Sequence, residues 1–462
     1  MKRRKFIKNA VALSVASVLP YRQAEANNSI GINSDVSENF IIEKERRIPV
    51  RHQADVVVCG GGPAGIGAAI EAARSGAKVI LVEHAGFLGG TWTAGLLGVM
   101  LDHQNKKGLV EELKQKLIDG HWKNTEHDTA HLFTFDTEGM KLILDELCAQ
   151  SKITVLLYTY VTGAIVQNKR ITHIITESKS GREAIAAKMF VDCTGDGDVA
   201  FFCGCSYDWG DAEGNTQPMS MLGAVTGLDF ELIKDCVQWG GFSTRQAKRN
   251  LIQEIRNGGF EPTYRMPCLF ELNRGIYALM AQHQFQMKSV SRDDLTRASI
   301  EGRNEVHHIV QALQRIGGRW KDIRLVATAS QIGCREGRRI HGLYTVTQND
   351  LTEGKRHKDA ICHVTFGVDI HSTKNEHEHT GEKYSRGIKS KPYDIPLRAL
   401  IPKDIEGLLL AGRCISGDFT AHSSYRVNGN SVIIGQNAGY VAAQCALNNI
   451  PPIDTNIRLL NI

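Results

Sequence analysis

Residues 55–83, DVVVCGGGPAGIGAAIEAARSGAKVILVE, constrain the fold of this chain more than any other segment. Their apolar run at 56–58 is typical of a strand buried on both faces of a parallel sheet. Gly60, Gly62 and Gly65 follow with G-x-G-x-x-G spacing, which permits a tight turn, approach of backbone to a pyrophosphate, and close packing of the next helix. The segment therefore predicts a strand, turn, helix and second strand that bind a dinucleotide.

Two further features support this nucleotide site. Pro63 and Ala64 open the predicted helix, whose N-terminal N–H groups and positive dipole end favour a phosphate. Glu83 ends the second strand, where an acid accepts a hydrogen bond from a ribose hydroxyl and disfavours the 2′-phosphate of NADP. A glycine-rich turn in another kind of α/β protein is the alternative, but strand, turn, helix and terminal acid all agree with the nucleotide site.

The first 26 residues have the pattern of an export signal. Arg3 and Arg4 stand in a basic segment, a weakly apolar stretch covers 10–19, and an A-x-A cleavage motif ends at Ala26. The pattern predicts a twin-arginine signal, and hence a periplasmic or otherwise exported protein. A basic arm that binds nucleic acid is the alternative, but the residues that follow are neutral and polar.

The formal net charge of +5 comes from this N-terminal segment. Residues 1–26 hold six Lys or Arg and one acidic residue, so the rest of the chain has a formal charge of zero and we expect no nucleic-acid partner. No apolar run reaches about 18 residues, so no transmembrane segment is predicted. Eleven cysteines are scattered without C-x-x-C spacing, and we expect most of them to be buried thiols.

Length and pattern predict two interleaved domains. The predicted fold class is α/β, with a Rossmann-like nucleotide-binding domain, an inserted β-meander, and a mixed α+β substrate domain. The predicted boundaries are a linker at 27–53, the first part of the nucleotide-binding domain at 54–200 with its meander at 151–188, the substrate domain at 201–392, the returning segment at 393–450 and a tail at 451–462.

Five sequence blocks, taken in order, resemble a known family. They are GGGPAGIGAA at 60–69, GGTWTAGLLG at 89–98, VDCTGDGDVA at 191–200, QIGCREGRRI at 331–340 and LLLAGRCISGDFTAHSSYRVNG at 408–429. They resemble the FAD-dependent oxidoreductases of the glutathione-reductase-like flavoprotein class, and are similar also to the flavoprotein subunits of fumarate reductases. The resemblance implies FAD as cofactor, a parallel FAD-binding sheet interrupted by a meander, and a large catalytic domain.

The resemblance also implies which residues contact FAD. The ADP half is expected at the glycine turn and Glu83, the ribityl chain at Asp418, and the flavin beside the loop at 89–95. A helix predicted from Asn430 would point its N-terminus at the pyrimidine edge and favour an anionic reduced flavin. The residues predicted to bind FAD are Gly60, Gly62, Pro63, Ala64, Gly65, Glu83, Gly90, Thr91, Thr93, Thr194, Gly195, Gly412, Asp418 and Asn430.

Three residues are candidates for the chemistry. His422 and Arg426 are predicted in the loop before that helix, where we expect His422 to transfer a proton and Arg426 to anchor a substrate oxygen. The alternative is that both only hold the loop together. Arg335 lies in the crowded charged segment 335–339 and could hold a carboxylate or sugar hydroxyl, unless that segment is a structural ion-pair cluster.

The chain has one dinucleotide fingerprint, no C-x-x-C motif and no haem motif, so its electron acceptor or donor is unidentified. We expect an exported flavin dehydrogenase that oxidises a small hydroxylated organic molecule. A flavin-dependent reductase of an activated double bond and a non-catalytic flavin electron carrier are the alternatives. Residues 371–382 contain three histidines, which we interpret as a solvated loop rather than a metal site.

Overall fold

A computed structural model describes residues 35–36, 41–43, 45–123, 133–374 and 384–457. The predicted export signal, His377, His379 and residues 458–462 of the predicted tail lie outside the described residues. The chain separates into two compact units, Met1–Ile48 and Pro49–Ile462. In the first unit, two short strands, β1 (Asp35–Val36) and β2 (Ile41–Ile42), pair antiparallel.

The second unit alternates helices and strands. Its strands are β3 (Val50–Cys59), β4 (Val79–Val82), β5 (Val99–Met100), β6 (Phe133–Thr134), β7 (Thr154–Leu156), β8 (Tyr160–Gln167), β9 (Arg170–Ser178), β10 (Gly181–Asp192), β11 (Tyr207–Asp208), β12 (Gly223–Thr226), β13 (Cys268–Asn273), β14 (Ile276–Met280), β15 (Arg324–Thr328), β16 (Arg339–Ile340), β17 (Ala360–Val364), β18 (Tyr393–Pro396) and β19 (Leu408–Leu410). Its α-helices are α1 (Pro63–Arg74), α2 (Leu109–Asp119), α3 (Thr137–Gln150), α4 (Asp198–Phe202), α5 (Phe230–Ile233), α6 (Thr244–Asn257), α7 (Arg292–Ile316), α8 (Gln348–Glu353), α9 (Phe419–Tyr425) and α10 (Asn428–Asn448).

The largest sheet has the order β7-β4-β3-β10-β9-β8, with β19 beside the end of β10. Strands β3, β4, β7, β10 and β19 are parallel, and the buried runs at 56–59 and 79–82 lie in its centre, as expected of a Rossmann-like sheet. The first half of β10 pairs antiparallel with β9, whereas its last three residues pair with β19 along the same edge. The fold is therefore α/β with an antiparallel extension, as predicted.

The structure corrects the bounds of the predicted linker and meander. Residues 50–53, assigned to the linker, belong to β3, because their backbone pairs with residues 184–186 although most of their side chains are exposed. The last meander strand and the strand that returns to the sheet are one continuous strand, β10. β7 joins the parallel sheet beside β4 rather than the meander. Pairing with a distant strand, which no local pattern reports, sets these bounds.

Helix α10 crosses α1 at backbone contact distance. A Cβ at Gly67 would overlap the carbonyl oxygen of Val432, and a Cβ at Gly435 would overlap that of Ala64. Small residues at these positions let the first half of α10 lie directly against the first half of α1. This contact places the returning segment of the chain beside the glycine turn.

A second sheet, β13-β14-β12-β15, is antiparallel and lies within the predicted substrate region. Helices α6 and α7 pack on it through Leu251, Ile255, Ile309 and Leu313. β17 also falls in that region of the sequence, but its side chains belong to the core of the nucleotide-binding sheet. The boundaries between the nucleotide-binding domain and the substrate domain stay a prediction.

The described residues contain no helix that is long and apolar enough to cross a membrane, and no group of three His, Cys, Asp or Glu side chains arranged for a metal ion. All eleven cysteines are free, nine of them buried and two half-buried. Burial raises the pKa of the Cys148 thiol to about 12. The expectation that most cysteines are buried thiols is confirmed, and such thiols are chemically inert.

Candidate functional site

The glycine turn between β3 and α1 leaves an open space beside Gly62. Gly60 has a φ of +101°, and a Cβ there would overlap the carbonyl of Cys193. A Cβ at Gly65 would overlap the carbonyl oxygen of Gly60, so the protein itself excludes a side chain at both positions. At Gly62, by contrast, a Cβ would meet only the Cα of Gly90 within 4 Å, at 3.9 Å. The turn therefore keeps clear the place where the first N–H groups of α1 can reach an anion.

The loop at 89–95 lies against this turn. The N–H of Gly89 donates to the carbonyl of Gly61 at 2.8 Å, and a 3₁₀ turn, Gly90–Trp92, follows. Thr93 Oγ1 donates to the carbonyl of Leu88 at 2.6 Å, which fixes the loop internally. Trp92 is fully buried, and its indole N–H has no partner among the described residues. Gly90, Thr91 and Thr93 are thus brought to the glycine turn.

Glu83, at the end of β4, ties its strand to the turn. Its Oε2 accepts from the N–H of Gly61 at 2.6 Å, and its Oε1 accepts from the N–H of Ala85 at 2.8 Å. His84 Nδ1 lies 3.0 Å from the same Oε1. Burial opposes ionisation, but the hydrogen bonds from His84, Ala85 and Gly61 outweigh it and lower the pKa of the Glu83 carboxyl. The side chain is therefore an ionised acceptor beside the turn.

The carboxyl ends of β10 and β19 complete this edge of the sheet. Asp192 is fully buried, which raises the pKa of its carboxyl to about 6. Its Oδ1 accepts from the N–H and the Oγ1 of Thr194, at 3.1 and 2.7 Å, so Thr194 builds the turn that contains Gly195. After β19, Gly412 has a φ of +86°, and a Cβ there would lie 3.1 Å from the Cβ of Ala64. Both turns thus lie at the same edge as the glycine turn.

The N-terminus of α10 presents an unsatisfied amide. The helix begins at Asn428, two residues before the predicted start, because Asn428 Nδ2 donates to the carbonyl of Val99 at 2.7 Å and its Oδ1 accepts from the N–H of Leu101 at 2.8 Å. Val427 supplies no side-chain cap. Asn430 is fully buried, and its Nδ2 has no partner among the described residues. The helix dipole and this amide favour an electron-rich ligand at this end.

His422 and Arg426 do not lie in a loop, contrary to the prediction. His422 is in α9, and Arg426 is the C-cap of that helix. Asp418 is its N-cap, since Oδ1 accepts from the N–H of Ala421 at 2.7 Å, while Oδ2 accepts from the N–H of Gln348 at 2.7 Å. A helix of seven residues is too short to show a hydrophobic period, so the sequence did not reveal it.

His422 is a neutral, fully buried imidazole. Neither ring nitrogen has a hydrogen-bond partner among the described residues. Burial, followed by the positive charges of Arg426, Arg339 and Arg413, holds the pKa of His422 well below its ordinary value. The ring can therefore accept a proton but strongly resists being charged in the resting protein.

Arg426 joins α9 to two distant segments. Its Nη1 donates to the carbonyl of Arg335 at 3.1 Å, and its Nη2 donates to Gln217 Oε1 at 3.0 Å and to the carbonyl of Asp369 at 2.8 Å. Burial lowers the pKa of Arg426 to about 10, so the guanidinium stays charged at neutral pH. The residue thus links α9, which contains His422, to the backbone of Arg335, the second candidate arginine.

Arg335 is directed away from the other charged residues of its segment. Its acceptors are the carbonyl of Pro218 at 2.6 Å and Ser220 Oγ at 2.9 Å, and its Nη2 lies 3.3 Å from His283 Nε2. Within the described part of segment 335–339, only Arg338 forms a salt bridge, with Asp198. One of the four charged residues of the segment thus forms a salt bridge, and the choice between the two interpretations stays open to experiment.

His371 belongs to this site and is not in a solvated loop, so that interpretation is wrong for this residue. Its side chain is buried, and its Nε2 lies 3.5 Å from Asp369 Oδ2. Nδ1 has no partner among the described residues. Burial and the charge of Arg335 lower the pKa of His371 to about 4, although Asp369 opposes this shift. The same pairing lowers the pKa of the Asp369 carboxyl in spite of its burial.

Aromatic rings surround His283 and His371. Tyr264 stacks on His283 with ring centroids 3.9 Å apart, and His283 meets His371 edge to face at 5.0 Å. The hydroxyl groups of Tyr264 and Tyr384 are 2.9 Å apart. These rings hold the imidazoles in place and lower the local dielectric, which strengthens any charge interaction inside the cluster.

Comparison with known proteins decides the family. The family model for FAD dependent oxidoreductase matches residues 55–461. The chain belongs to this family. Over 155 residues it is 28% identical to the thiamine thiazole synthase of Methanococcus vannielii, a match that covers 31% of this chain and 56% of the relative. The enzyme of Methanococcus maripaludis matches at 28% over 153 residues, 30% of this chain and 55% of the relative. The chain thus matches about half the length of these curated relatives.

Solved structures with a similar chain path share little sequence with this chain. A geranylgeranyl bacteriochlorophyll reductase-like protein from Thermoplasma acidophilum has a TM-score of 0.49 and 13% identity, over 86% of this chain and 80% of that one. A p-nitrophenol 4-monooxygenase from Pseudomonas putida has a TM-score of 0.46 and 11% identity, over 87% and 83%.

FAD is the cofactor, and the residues at this edge of the sheet fit it. The space beside Gly62 accommodates a pyrophosphate, Glu83 offers an ionised acceptor for a ribose hydroxyl, and the unpaired amide of Asn430 is available to a flavin carbonyl. Thr194 and Asp418 already use their side chains within the protein, in the Asp192 turn and the α9 cap. Contacts of the individual residues with FAD stay a prediction.

Three residues of the candidate site, Asp369, His371 and His283, were not predicted from the sequence as functional residues. Asp369 and His371 stand in a polar stretch without periodicity, and His283 lies in an irregular segment after β14. Their partners are far along the chain: the N–H of His371 donates to Gln217 Oε1 across 154 positions. The only local signal was the histidine content of 371–382, which suggests a solvated loop when taken alone.

Proposed function

We propose that this protein is an exported oxidoreductase that transfers a hydride from a small hydroxylated organic molecule to FAD. One observation carries the proposal: the charge of Arg426, the residue just before the N-cap of α10, acts on two buried and uncharged imidazoles, those of His422 and His371. Oxidation of an alcohol needs a group that takes the hydroxyl proton and a group that fixes the oxygen. The cluster supplies both.

In this proposal the protein orients the substrate and moves one proton, while FAD, when bound, supplies the hydride acceptor. Arg426 binds a substrate oxygen, and Nδ1 or Nε2 of His422, one helical turn earlier, takes the hydroxyl proton. The N-terminus of α10 stabilises negative charge that develops at the cofactor. Burial of both nitrogens of His422 keeps the ring uncharged before the substrate binds.

We also propose that the FAD-binding half is related to glutathione-reductase-like flavoproteins and to fumarate-reductase flavoprotein subunits. The single βαβ fingerprint, the meander and the returning β19 support this relationship. A second candidate function follows from it, reduction of an activated double bond. The observation that favours it is the pair of arginines, Arg335 and Arg426, since two cations next to FAD would withdraw electrons from a conjugated acid.

Anaerobic flavin spectroscopy distinguishes the two functions. FAD-loaded protein is mixed with a panel of sugars, polyols and hydroxy acids, and the loss of flavin absorbance is followed. We expect at least one hydroxylated compound to bleach the flavin. In the opposite assay, chemically reduced protein is mixed with enoates. Rapid reoxidation by an enoate, together with no bleaching by any hydroxylated compound, would replace the first function with the second.

Export in a folded, FAD-loaded state is a separate part of the proposal, which rests on Arg3 and Arg4. Replacement of both by lysine keeps the positive charge but removes the paired guanidinium groups that define the signal. We expect the precursor of this double variant to accumulate in the cytoplasm, as measured by cell fractionation. Arg22→Lys, after the apolar stretch, is the matched control and should be exported normally. Equal export of the double variant and the parent would contradict the twin-arginine assignment.

A further inference from the structure

We propose that the substrate of this site carries a carboxylate, and that Arg335 and Arg426 hold it. The inference rests on the proposed function, because it names the chemical class of the molecule on which the site acts. Two features of the structure carry it: the acceptors of the two guanidinium groups, and the arrangement of the acids around them.

Both arginines are partly buried and bonded only to uncharged acceptors. Arg426 donates to two backbone carbonyls and a side-chain amide oxygen, and Arg335 donates to a carbonyl and a hydroxyl beside a neutral imidazole. Among the described residues, neither forms a salt bridge with a carboxylate. Other partly buried arginines do: Arg319 pairs with two acids, and Arg413 pairs with Asp196. Within the part of the chain that the structure describes, Arg335 and Arg426 share this lack of a carboxylate partner with Arg339, which donates to the carbonyls of Gly417 and Gly210.

The nearest acids make their hydrogen bonds elsewhere. The Asp369 carboxylate pairs with His371, and Arg426 reaches only the backbone carbonyl of Asp369. Burial opposes ionisation of Asp369, but His371 and then the charges of Arg426 and Arg335 lower the pKa of its carboxyl, so it is ionised. Glu336 accepts from the backbone N–H of Gln217 at 2.7 Å and from its side-chain amide at 3.3 Å. Two cations thus face one ionised carboxylate in a poorly solvated site. The positive charge that remains is costly until a partner compensates it, so the site favours an anion over a neutral ligand.

A carboxylate matches the remaining geometry. Its oxygens can replace a weak neutral acceptor such as Met280 Sδ, which lies 3.9 Å from Arg335 Nη2, because a charge-assisted pair is roughly twice as strong as a neutral hydrogen bond. Nδ1 of His371 is unpaired among the described residues, and both arginines act on the pKa of that ring. A hydroxyl on the carbon next to the carboxylate would meet this nitrogen or His422. A small 2-hydroxy acid is the simplest molecule that uses both features.

Matched ligand pairs test the inference on the FAD-loaded protein. Glycolate and ethylene glycol share two carbons and a hydroxyl but differ in the carboxylate, as do lactate and 1,2-propanediol. Binding is measured by calorimetry and by the change in the flavin spectrum, so no turnover is needed. We expect each acid to bind about 10-fold to 100-fold more tightly than its diol, which is the range for a hydrogen-bonded charge.

Variants then assign the binding to the two arginines. Arg335→Lys and Arg426→Lys keep the charge but lose the planar guanidinium group. Each variant should bind the acid about 10-fold more weakly, while its affinity for the diol should stay unchanged. Arg398→Lys is the matched control, because Arg398 is bonded to Asp359 and to neither candidate arginine. This variant should have the affinity of the parent for both ligands. If a variant fails to fold, the acid and diol affinities of the parent still decide the question.

Three outcomes would overturn the inference: diols that bind as tightly as their acids, inorganic phosphate that binds more tightly than either acid, or acid binding that survives both arginine substitutions. The proposed function fails separately. Acids that bind through both arginines without bleaching the flavin support the inference and count against oxidation. Neutral polyols that bleach the flavin, with no binding of acids, support oxidation and reject the carboxylate.

Discussion

Protein that folds but contains no FAD is the expected result of replacing Gly62 with valine. In the structure, a Cβ at this position meets only the Cα of Gly90, at 3.9 Å, and the φ of −73° and ψ of −175° suit any residue. The protein itself therefore tolerates a side chain. The pyrophosphate of FAD does not, because it must approach the backbone of this turn directly. Purified Gly62→Val should be colourless, and FAD should not restore its colour.

Two comparisons make this result specific. Gly163→Val introduces the same side chain into β8, where the nearest atoms of Ile175 lie 3.6 and 3.7 Å from the new Cβ, and this variant should remain yellow. Thermal unfolding of Gly62→Val should match that of the parent stripped of FAD, since bound cofactor by itself stabilises a folded protein. A yellow Gly62→Val protein with the FAD content of the parent would contradict the position of the pyrophosphate.

Flavin reduction should slow by about 10² to 10⁴ when His422 is replaced by asparagine, the range that a positioned proton-transfer group contributes. Asparagine fills a similar volume and keeps a polar side chain but cannot accept the proton. FAD should be retained, because His422 lies in α9 and not in the glycine turn. Stopped-flow measurement of flavin reduction with a validated substrate gives the rate. Arg426→Lys should instead mainly raise KM, since lysine keeps the charge but loses the two-pronged contact.

The pH dependence provides a second measurement of the same assignment. His422 acts as a base only when neutral, so the rate falls as the pH falls through its pKa in the folded protein. Burial and three neighbouring arginines hold that pKa well below 6.5. The parent should therefore keep its rate from about pH 8 to about pH 6. His173→Asn, on β9 with Nδ1 2.9 Å from Thr172 Oγ1, is the matched control. If both His422→Asn and Arg426→Lys reduced flavin at the parental rate, the assignment would be wrong. Arg335 and His371 would then be the next candidates for substrate binding and proton transfer.

The FAD site was predictable because its signals are local. Gly60, Gly62 and Gly65 stand within one turn, and Glu83 ends the next strand of the same unit. The physical requirements of that turn act on residues fewer than 25 positions apart, as the hydrogen bond from Gly61 to Glu83 across 22 positions illustrates. Local sequence therefore predicts the glycine turn, the α/β class and a dinucleotide, while FAD was implied by the resemblance of five blocks along the chain. Assignment of individual contacts stays a prediction.

The arrangement of the proposed reaction site was decided only by the tertiary structure. Arg426 and Gln217 are 209 positions apart, and Arg335 and His283 are 52 positions apart, yet each pair is in contact. In the sequence, His371 belongs to a polar stretch that suggests a solvated loop. In the structure its side chain is buried next to Asp369, and this burial lowers its pKa. The long strand β10 likewise forms because β3, β9 and β19 meet it from different parts of the chain. By itself the sequence determined the glycine turn and the α/β class, since a turn and its helix are local. Which side chains face one another across the substrate depends on burial and long-range packing, and these leave no period or spacing in the sequence.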